Sequence, residues 1–241
     1  MAITALSPFG NRDVAKLVFE DYTTHVPFLN LDFANVTTTD LTGEKVYAYG
    51  GPGHPKRIAF NGERGGTIKI DTQIQCFKLF QLITGAALTT AGSFIKREVL
   101  TAETTSLTLS ATPANTDNVY VFASTDDCGT PIEATTSDTT VTVPAAGTYI
   151  VYYTETLSTG VINLNIKSTT FPSDFKVYME TVDKAETGVM AKFRMTAYKC
   201  SPQTNFTIAQ SSSGDPGTIS ITCDLLVDAN DNMLDMQMVT G

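Results

Sequence analysis

The residues best suited to chemistry lie at positions 47–60, in the stretch YAYGGPGHPKRIAF. Glycine-rich loops beside cations can hold a phosphate, because backbone amides and basic side chains then converge on the anion. The residues that would do so are Gly50, Gly51, Gly53, Lys56 and Arg57. A nucleotide-binding loop is therefore the first hypothesis for this stretch.

The spacing of this stretch excludes that hypothesis. In a Walker loop the lysine follows a glycine and precedes Ser or Thr, whereas Lys56 follows Pro55 and precedes Arg57. A dinucleotide-binding loop uses backbone amides that open a helix, and Pro55 removes one of these amides. The stretch instead predicts a tight corner between two strands.

Other residues that could catalyse a reaction or bind a metal lack the necessary partners. His25 and His54 are far apart, and no GxSxG or HExxH motif accompanies them. The segment DANDN, residues 228–232, begins like a calcium loop, but Met233 and Val239 replace the required glycine and glutamate. A hairpin turn is the better interpretation of DANDN. The sequence therefore predicts no enzyme activity, cofactor or metal site.

The negative charge is concentrated in one part of the chain. The net charge is −9, and the segment from Glu98 to Ile166 holds eight acidic residues and no Lys or Arg. Both specific and non-specific binding to nucleic acid require a cluster of cations that displaces counterions from the phosphates. The sequence lacks such a cluster, so we expect no specific binding to DNA.

The cellular compartment is predicted from the N-terminal residues and the cysteines. The start lacks the basic and apolar regions of a signal peptide, and no apolar run approaches the roughly 20 residues of a membrane helix. The widely spaced cysteines are predicted to be free thiols, as in a reducing cytosol. They are Cys76, Cys128, Cys200 and Cys223.

Alternating apolar and polar residues predict a mainly β, antiparallel fold. Ala15, Leu17 and Phe19 alternate with a second set, Lys16, Val18 and Glu20, and residues 218–225 show the same pattern. We expect the apolar set of each segment to face a core. Turn-forming residues separate such segments at 184–188, 212–217 and 229–232.

One stretch has helical periodicity. Apolar residues recur at Ile74, Phe77, Phe80 and Ile83, with Leu79 and Leu82 beside them. This spacing predicts one short helix near 73–84 that packs on a sheet. Thr72 and Gln75 could form a capping box, and Gly85 could end the helix in a left-handed conformation.

The acidic segment predicts an inserted module at 97–160. It contains the strand-like runs SLTLSATPA, NVYVFAS, TTVTV and TYIVYYTET, joined by turns rich in Thr, Asp and Gly. Such spacing is typical of a small immunoglobulin-like sandwich or an elaborated hairpin pair. The flanking residues 1–96 and 161–241 would then form one discontinuous β domain.

Several stretches together resemble the tail tube proteins of bacteriophages, most closely those of contractile tails. They are LTGEKVYAYGGPGHPKRIAFNGERGGTIKIDTQI, CFKLFQLITG, FIKREVLTA, FPSDFKVYMETV and PQTNFTIAQSSSGDPGTISITCDLLVDANDNML. They follow one order over most of the chain, and none is a catalytic signature. The acidic segment matches least well.

This resemblance implies an antiparallel β-sandwich or barrel-like subunit with one helix. Six subunits would form a ring whose sheets join around a channel, and rings would stack into a tube in the virion tail. The implied partners are other copies of the chain, the tape-measure protein, a tail sheath, and genome DNA passing without specific binding. Assembly would take place in the cytoplasm of the host, without membrane insertion.

The resemblance also implies which residues could contact other subunits. The candidates for contacts between subunits or rings are Gly50, Gly51, Gly53, Lys56, Arg57, Gly214, Asp215, Pro216 and Gly217. Lys56 and Arg57 could form ion pairs there or remain solvated. The acidic module could lie outside the tube or near its channel, and crowding by six copies favours the outside.

Two other functions fit the same sequence. The chain could form the inner tube of a tailocin or another phage-derived injection system without a genome. From a different class, it could be an adhesive β-sandwich that binds a glycan or receptor as a monomer. Hollow tubes or six-fold rings in electron micrographs would separate the tube proteins from the adhesive module.

Overall fold

The fold is built almost entirely from antiparallel strands. The computed structural model describes residues 7–210 and 212–239. Every strand pair in these residues is antiparallel, which confirms the mainly β prediction. One α-helix and one short 3₁₀-helix accompany the strands in this part of the chain.

The strands are numbered in chain order. The first seven are β1 (Phe9–Asn11), β2 (Lys16–Asp21), β3 (Pro27–Leu31), β4 (Val36–Tyr49), β5 (Lys56–Thr72), β6 (Leu88–Thr89) and β7 (Gly92–Ala102). The next six are β8 (Ser106–Thr108), β9 (Tyr120–Ala123), β10 (Thr135–Ser137), β11 (Thr140–Thr142), β12 (Gly147–Leu157) and β13 (Asn163–Leu164). The last four are β14 (Phe175–Ala185), β15 (Met190–Pro202), β16 (Ile219–Leu226) and β17 (Leu234–Val239). The α-helix is α1 (Phe77–Thr84), and the 3₁₀-helix is Thr116–Asn118.

The chain divides into two compact units. The larger unit comprises the described residues up to Ala87 and from Asn165 onward, and the smaller one is Leu88–Leu164. Nine strands of the larger unit form one sheet in the order β3-β2-β14-β15-β16-β5-β4. In addition, β1 pairs with β14, and β17 pairs with β15.

The core of the larger unit lies on one face of this sheet. Leu17, Phe19 and Ile221 are buried, as the alternation predicted, and α1 adds Leu79 and Ile83 to the same cluster. Each such side chain contributes about 1.5–3 kcal/mol when it leaves water. We call the opposite side of the nine-stranded sheet the outer face.

The helix prediction is correct in its existence and its end but wrong at its start. The helix begins at Phe77 after Cys76, and no side chain caps it. Thr72 instead bonds locally, because its hydroxyl donates to the Ile74 carbonyl at 2.8 Å and accepts from the Ile74 amide. Gly85 ends the helix with φ 70°, as predicted.

The buried stripe of the helix also differs from the predicted one. Leu79, Leu82 and Ile83 face the core, whereas Ile74 and Phe77 are 58% and 42% exposed. The reason is the later start, since Ile74 precedes the helix and Phe77 is its first residue. The buried residues have the i, i+3, i+4 spacing of a helix face.

The hairpin predicted at residues 228–232 is wrong. Strands β16 and β17 do not pair with each other but follow one another along the same edge of β15. The Asp228 carboxylate accepts from the amides of Asn230 and Asn232, both at 2.8 Å, and so closes a compact loop. After the loop, β17 pairs with the same edge of β15 as β16 does.

All four cysteines are free thiols, as predicted. Cys200 and Cys223 are buried in the core of the larger unit. Burial disfavours a thiolate, so it raises the pKa of Cys200 to about 12 and also raises the pKa of Cys223. These thiols act as small apolar side chains.

The smaller unit has its own core. One sheet has the order β7-β12-β9 and the other β10-β11-β8. Leu107, Val141 and Val151 are buried between them, together with Tyr153. The unit begins before the predicted residue 97, because β7 starts at Gly92 and pairs along its whole length with β12.

Gly85→Ala should destabilise the larger unit. The left-handed conformation costs a non-glycine residue about 1–2 kcal/mol, and a Cβ here would lie 2.3 Å from the Phe171 carbonyl oxygen. Gly188→Ala is the matched control, because Gly188 has φ 86° but open space around its Cβ position. Thermal denaturation should show a larger loss for Gly85→Ala. Equal losses would contradict the close contact.

Candidate assembly interface

The glycine-rich stretch forms the tip of a long hairpin. Strands β4 and β5 pair from Val36–Asp71 to Tyr49–Lys56, so residues 50–55 make the turn. Gly51 and Gly53 have φ 88° and 82°, and the Arg57 side chain donates from Nε to the Gly50 carbonyl at 2.8 Å. The predicted corner between strands is confirmed.

The outer part of this hairpin, residues 41–64, is called the arm. None of its residues is buried. Two register shifts interrupt its ladder, one between Gly43 and Lys45 and one between Ala48 and Tyr49. The arm is therefore a two-stranded ribbon whose faces are both open to solvent in the subunit.

One face of the arm is apolar. Val46 pairs directly with Phe60, and Ala48 with Ile58, so the four side chains share a face. Val46, Ile58 and Phe60 remain 54–59% exposed. Exposed apolar patches of this kind are typical of interaction surfaces. Sequence reasoning missed this face. Alternation shows that the apolar side chains of a strand share one face, but it does not show whether that face packs on the core or is exposed on the subunit.

The tip of the arm is basic. Residues 45–61 contain Lys45, Lys56 and Arg57 and no acidic residue. None of these cations takes part in an ion pair within residues 7–210 and 212–239. The Lys56 ammonium instead lies 3.9 Å from the centre of the Tyr47 ring. The arm thus presents an apolar face and free positive charge together.

The second predicted contact region lies in the connection between β15 and β16. Gly214 has φ 94°, and Asp215 and Pro216 are exposed. A Cβ at Gly217 would lie 2.6 Å from the Ala209 carbonyl oxygen, so this glycine permits a close backbone approach. The connection is anchored by Phe206, which packs 6.0 Å from the Phe80 ring of α1.

The two predicted contact regions are not brought together. The glycine-rich tip precedes Lys56 at one end of β5, whereas Ile219, directly after the second region, pairs with Thr72 at the other end. Strand β5 contains seventeen residues and is therefore roughly 50 Å long at about 3.3 Å per residue. The regions therefore lie at opposite ends of β5.

The outer face of the nine-stranded sheet carries paired charges. Glu180 on β14 lies between Lys16 on β2 and Arg194 on β15. Its carboxylate accepts from Lys192 at 2.9 Å and from Arg194 at 2.8 Å. These two hydrogen bonds and the positive charges lower the pKa of Glu180. Elsewhere on this face Lys69 lies 3.2 Å from Asp71.

Aromatic rings hold another cation of the outer face. The Lys176 ammonium lies 4.8 Å from the Tyr178 ring centre and 5.0 Å from that of Tyr198. Glu20 stands opposite Lys176 on β2. The Tyr178 hydroxyl and this environment raise the pKa of Lys176, which keeps it charged.

Both histidines lie at the surface. His25 lies 3.2 Å from Glu20 but is exposed, and His54 belongs to the arm tip. Residues 7–210 and 212–239 contain no group of three His, Cys, Asp or Glu side chains that could hold a metal ion. Within the same residues, no helix is long and apolar enough to cross a membrane.

Comparison with known proteins gives one match that spans nearly the whole chain. A family model described as the YomU/Tube protein family matches residues 10–239. No individually curated protein matches the chain. The family match includes the arm, the helix, the outer face and the smaller unit.

Glu180→Gln should reduce stability slightly, in a pH-dependent way. Because the folded-state pKa is lowered, the ion pairs stabilise the fold above the unfolded pKa, and this effect is lost as the pH falls through the folded value. For such an exposed group we expect a loss of about 0.5–1 kcal/mol at pH 7 that shrinks below about pH 4. Denaturation of both proteins across this range measures it, and a pH-independent difference would contradict the ion pairs.

Proposed function

Because the chain belongs to the YomU/Tube protein family, we propose that its subunits form stacked hexameric rings, the inner tube of a bacteriophage tail. Membership in this family confirms the resemblance to phage tail tube proteins. The proposed tube conducts genome DNA into the host and encloses the tape-measure protein before ejection. In a contractile tail a sheath surrounds it. The subunits assemble in the host cytoplasm and remain in the virion tail.

The arm is the observation that supports self-assembly most directly. Val46, Ile58 and Phe60 on its apolar face are 54–59% exposed. Among residues 7–210 and 212–239, its basic tip has no acidic partner. The partner that would cover this apolar face during assembly is a second copy of the chain. Burial of these three side chains would contribute about 1.5 kcal/mol or more each before the entropy of ordering is subtracted.

The positions of the contact regions favour stacking over a closed pair. The arm tip and the 214–217 region lie at opposite ends of β5. A contact between two different surfaces is heterologous. It builds an open-ended series of subunits unless the rotation from one subunit to the next closes a ring. Contacts between opposite ends of successive subunits would therefore build an extended tube.

The sheet edges favour ring formation. The order of the nine-stranded sheet leaves β3 at one edge and β4 at the other. Strand β4 has 14 residues and pairs only with β5 among the described strands. A long open edge promotes pairing with another chain, and closure into a barrel removes it. We propose that adjacent subunits of a ring join at these edges.

Electron microscopy of the purified protein tests the proposal. Hollow tubes or six-fold rings should form as the protein concentration rises. A monodisperse monomer at high concentration would overturn the proposal and favour the adhesive module instead. Particles of a tailocin would also contain tubes, and the presence or absence of packaged DNA in the native particle separates these two cases.

Ile58→Asp should abolish tube formation and leave the subunit folded. The aspartate charge would lie on the apolar face of the arm. Burial of this charge against another copy of the chain would cost far more free energy than its exposure to water in the free subunit. Ile95→Asp is the matched control, because Ile95 is 58% exposed and Ile58 is 55% exposed. Circular dichroism checks folding and negative-stain microscopy counts tubes. Loss of tubes in both variants, or in neither, would contradict a role of the arm.

Gly214→Val and Gly217→Val should slow tube growth. Valine at Gly214 would strain a left-handed backbone, and valine at Gly217 would collide with the Ala209 carbonyl. Gly160→Val, at φ 79° in the smaller unit, imposes comparable strain elsewhere. Light scattering follows growth, and the prediction fails if the Gly160 variant is as slow as the other two.

A further inference from the structure

We infer that strand β7 of the smaller unit is a dimerisation edge, at which it pairs antiparallel with β7 of a second copy of the chain. The two strands would be related by a two-fold axis at Arg97. The inference does not depend on the proposed tube, because all of its evidence lies within the smaller unit. Three observations lead to it: the open edge of β7, the self-complementary order of its side chains, and the position of the Arg97 side chain.

One edge of β7 is open. The strand lies at the end of the sheet β7-β12-β9, and only its edge towards β12 is paired among the described strands, over the whole length of β7. The apolar side chains Phe94, Ile95 and Val99 are 80%, 58% and 54% exposed. A long open edge with exposed apolar side chains is a template for pairing with another chain.

The side chains of β7 are complementary to those of a second β7. Two antiparallel copies centred on Arg97 bring two apolar pairs and one pair of opposite charges into direct opposition. The pairs are Phe94 with Leu100, Ile95 with Val99, and Lys96 with Glu98. Each pair occurs twice, once on each side of the axis. Cross-strand pairs of these kinds stabilise a sheet.

The charges of β7 select this register over the neighbouring ones. A slip of one residue would turn every side chain to the wrong face, and a slip of two residues would move the axis to Lys96 or to Glu98. In these registers Lys96 would oppose Lys96, or Glu98 would oppose Glu98, and directly opposed like charges are destabilising. The same charges disfavour pairing with an unrelated apolar strand. They therefore favour a second copy of this chain in one register.

Arg97 would stand opposite its own copy at the axis, but its charge is held away from the open edge. Its guanidinium donates to the Asp127 carboxylate from Nε at 3.1 Å and from Nη2 at 2.9 Å. Nε also donates to the Tyr152 hydroxyl at 3.1 Å. Because Tyr152 pairs with Arg97 across from β12, the guanidinium is drawn towards that strand. Asp127 balances its charge there, so repulsion between the two copies of Arg97 is small.

The contact is isologous, because both subunits use the same surface, and it closes after two copies. Subunits stacked along one tube would all point the same way, so no such two-fold axis would relate them. The β7 contact would therefore join two subunits that do not belong to the same tube. Substitutions on β7 are accordingly expected to leave each tube intact.

Disulfide trapping tests the register. Ile95→Cys and Val99→Cys are purified separately in a Cys128→Ser background, which removes the exposed native thiol, and are then mixed. Directly opposed Cα atoms of antiparallel strands lie about 4.5–5.5 Å apart, a distance that a disulfide spans. After oxidation by air, the mixture should give a linked dimer on a non-reducing gel, and each variant alone should give little. Absence of the linked dimer, or equal linking in the single variants, would overturn the register.

Charge exchange tests the dimer without a covalent link. The Ile58→Asp background is used to prevent tube formation, and sedimentation equilibrium measures the dimer. Ile95→Lys and Val99→Asp should each weaken the dimer by about tenfold or more, because a charge then opposes an apolar side chain. Mixing these two variants should restore a dimer, since a lysine then faces an aspartate.

Ile162→Lys is the matched control for the charge exchange. Ile162 is 62% exposed and lies in the same unit but outside β7, so this variant should dimerise like the background protein. Monomers of the background protein at every concentration, or equal weakening by Ile162→Lys, would overturn the inference. Tubes without β7 dimers would defeat this inference alone, whereas β7 dimers without tubes would defeat only the proposed function.

Discussion

The backbone ladder of strand β5 is the constraint on which the rest of the larger unit depends. Between Thr67 and Thr72 the strand lies between β4 and β16 and adds Ile68 and Ile70 to the core. From Lys56 to Arg64 it pairs only with β4 and leaves the core. One continuous strand thus links the packed interior to the surface proposed to meet other subunits. Any shift in its register would invert both the core and the apolar face of the arm.

Local sequence patterns were sufficient where the structure depends on local geometry. Alternation around Leu17 and Ile221 predicted which side chains are buried, and the glycines after Tyr49 predicted the corner. The end of the helix at Gly85 was equally clear, because a left-handed residue satisfies a helix carbonyl without side-chain help. The predicted capping box does not form, because the Thr72 hydroxyl makes hydrogen bonds with the backbone of Ile74 instead.

Features that depend on distant partners could not be predicted in this way. The residues around Asp228 have the composition of a hairpin turn, but β15 supplies the pairing edge for both flanking strands. The faces of the sheet on which Lys69 and Asp224 lie are a second example. Both residues alternate with buried neighbours, and the register of β5 with β16 places them on the outer face. The net charge of the chain likewise does not predict the ion pairs of Glu180 with Lys192 and Arg194.

The two register shifts of the arm have a further consequence for the free subunit. An exposed ribbon with apolar side chains is a template for indiscriminate strand pairing and aggregation. The shifts near Gly43 and Ala48 each place an extra residue on β5 and so kink the ribbon, and Lys45, Lys56 and Arg57 add mutual repulsion between tips. A flat, uncharged arm would bind any extended chain. In the proposed tube, the kinked, basic arm would restrict association to surfaces that match its shape and charge.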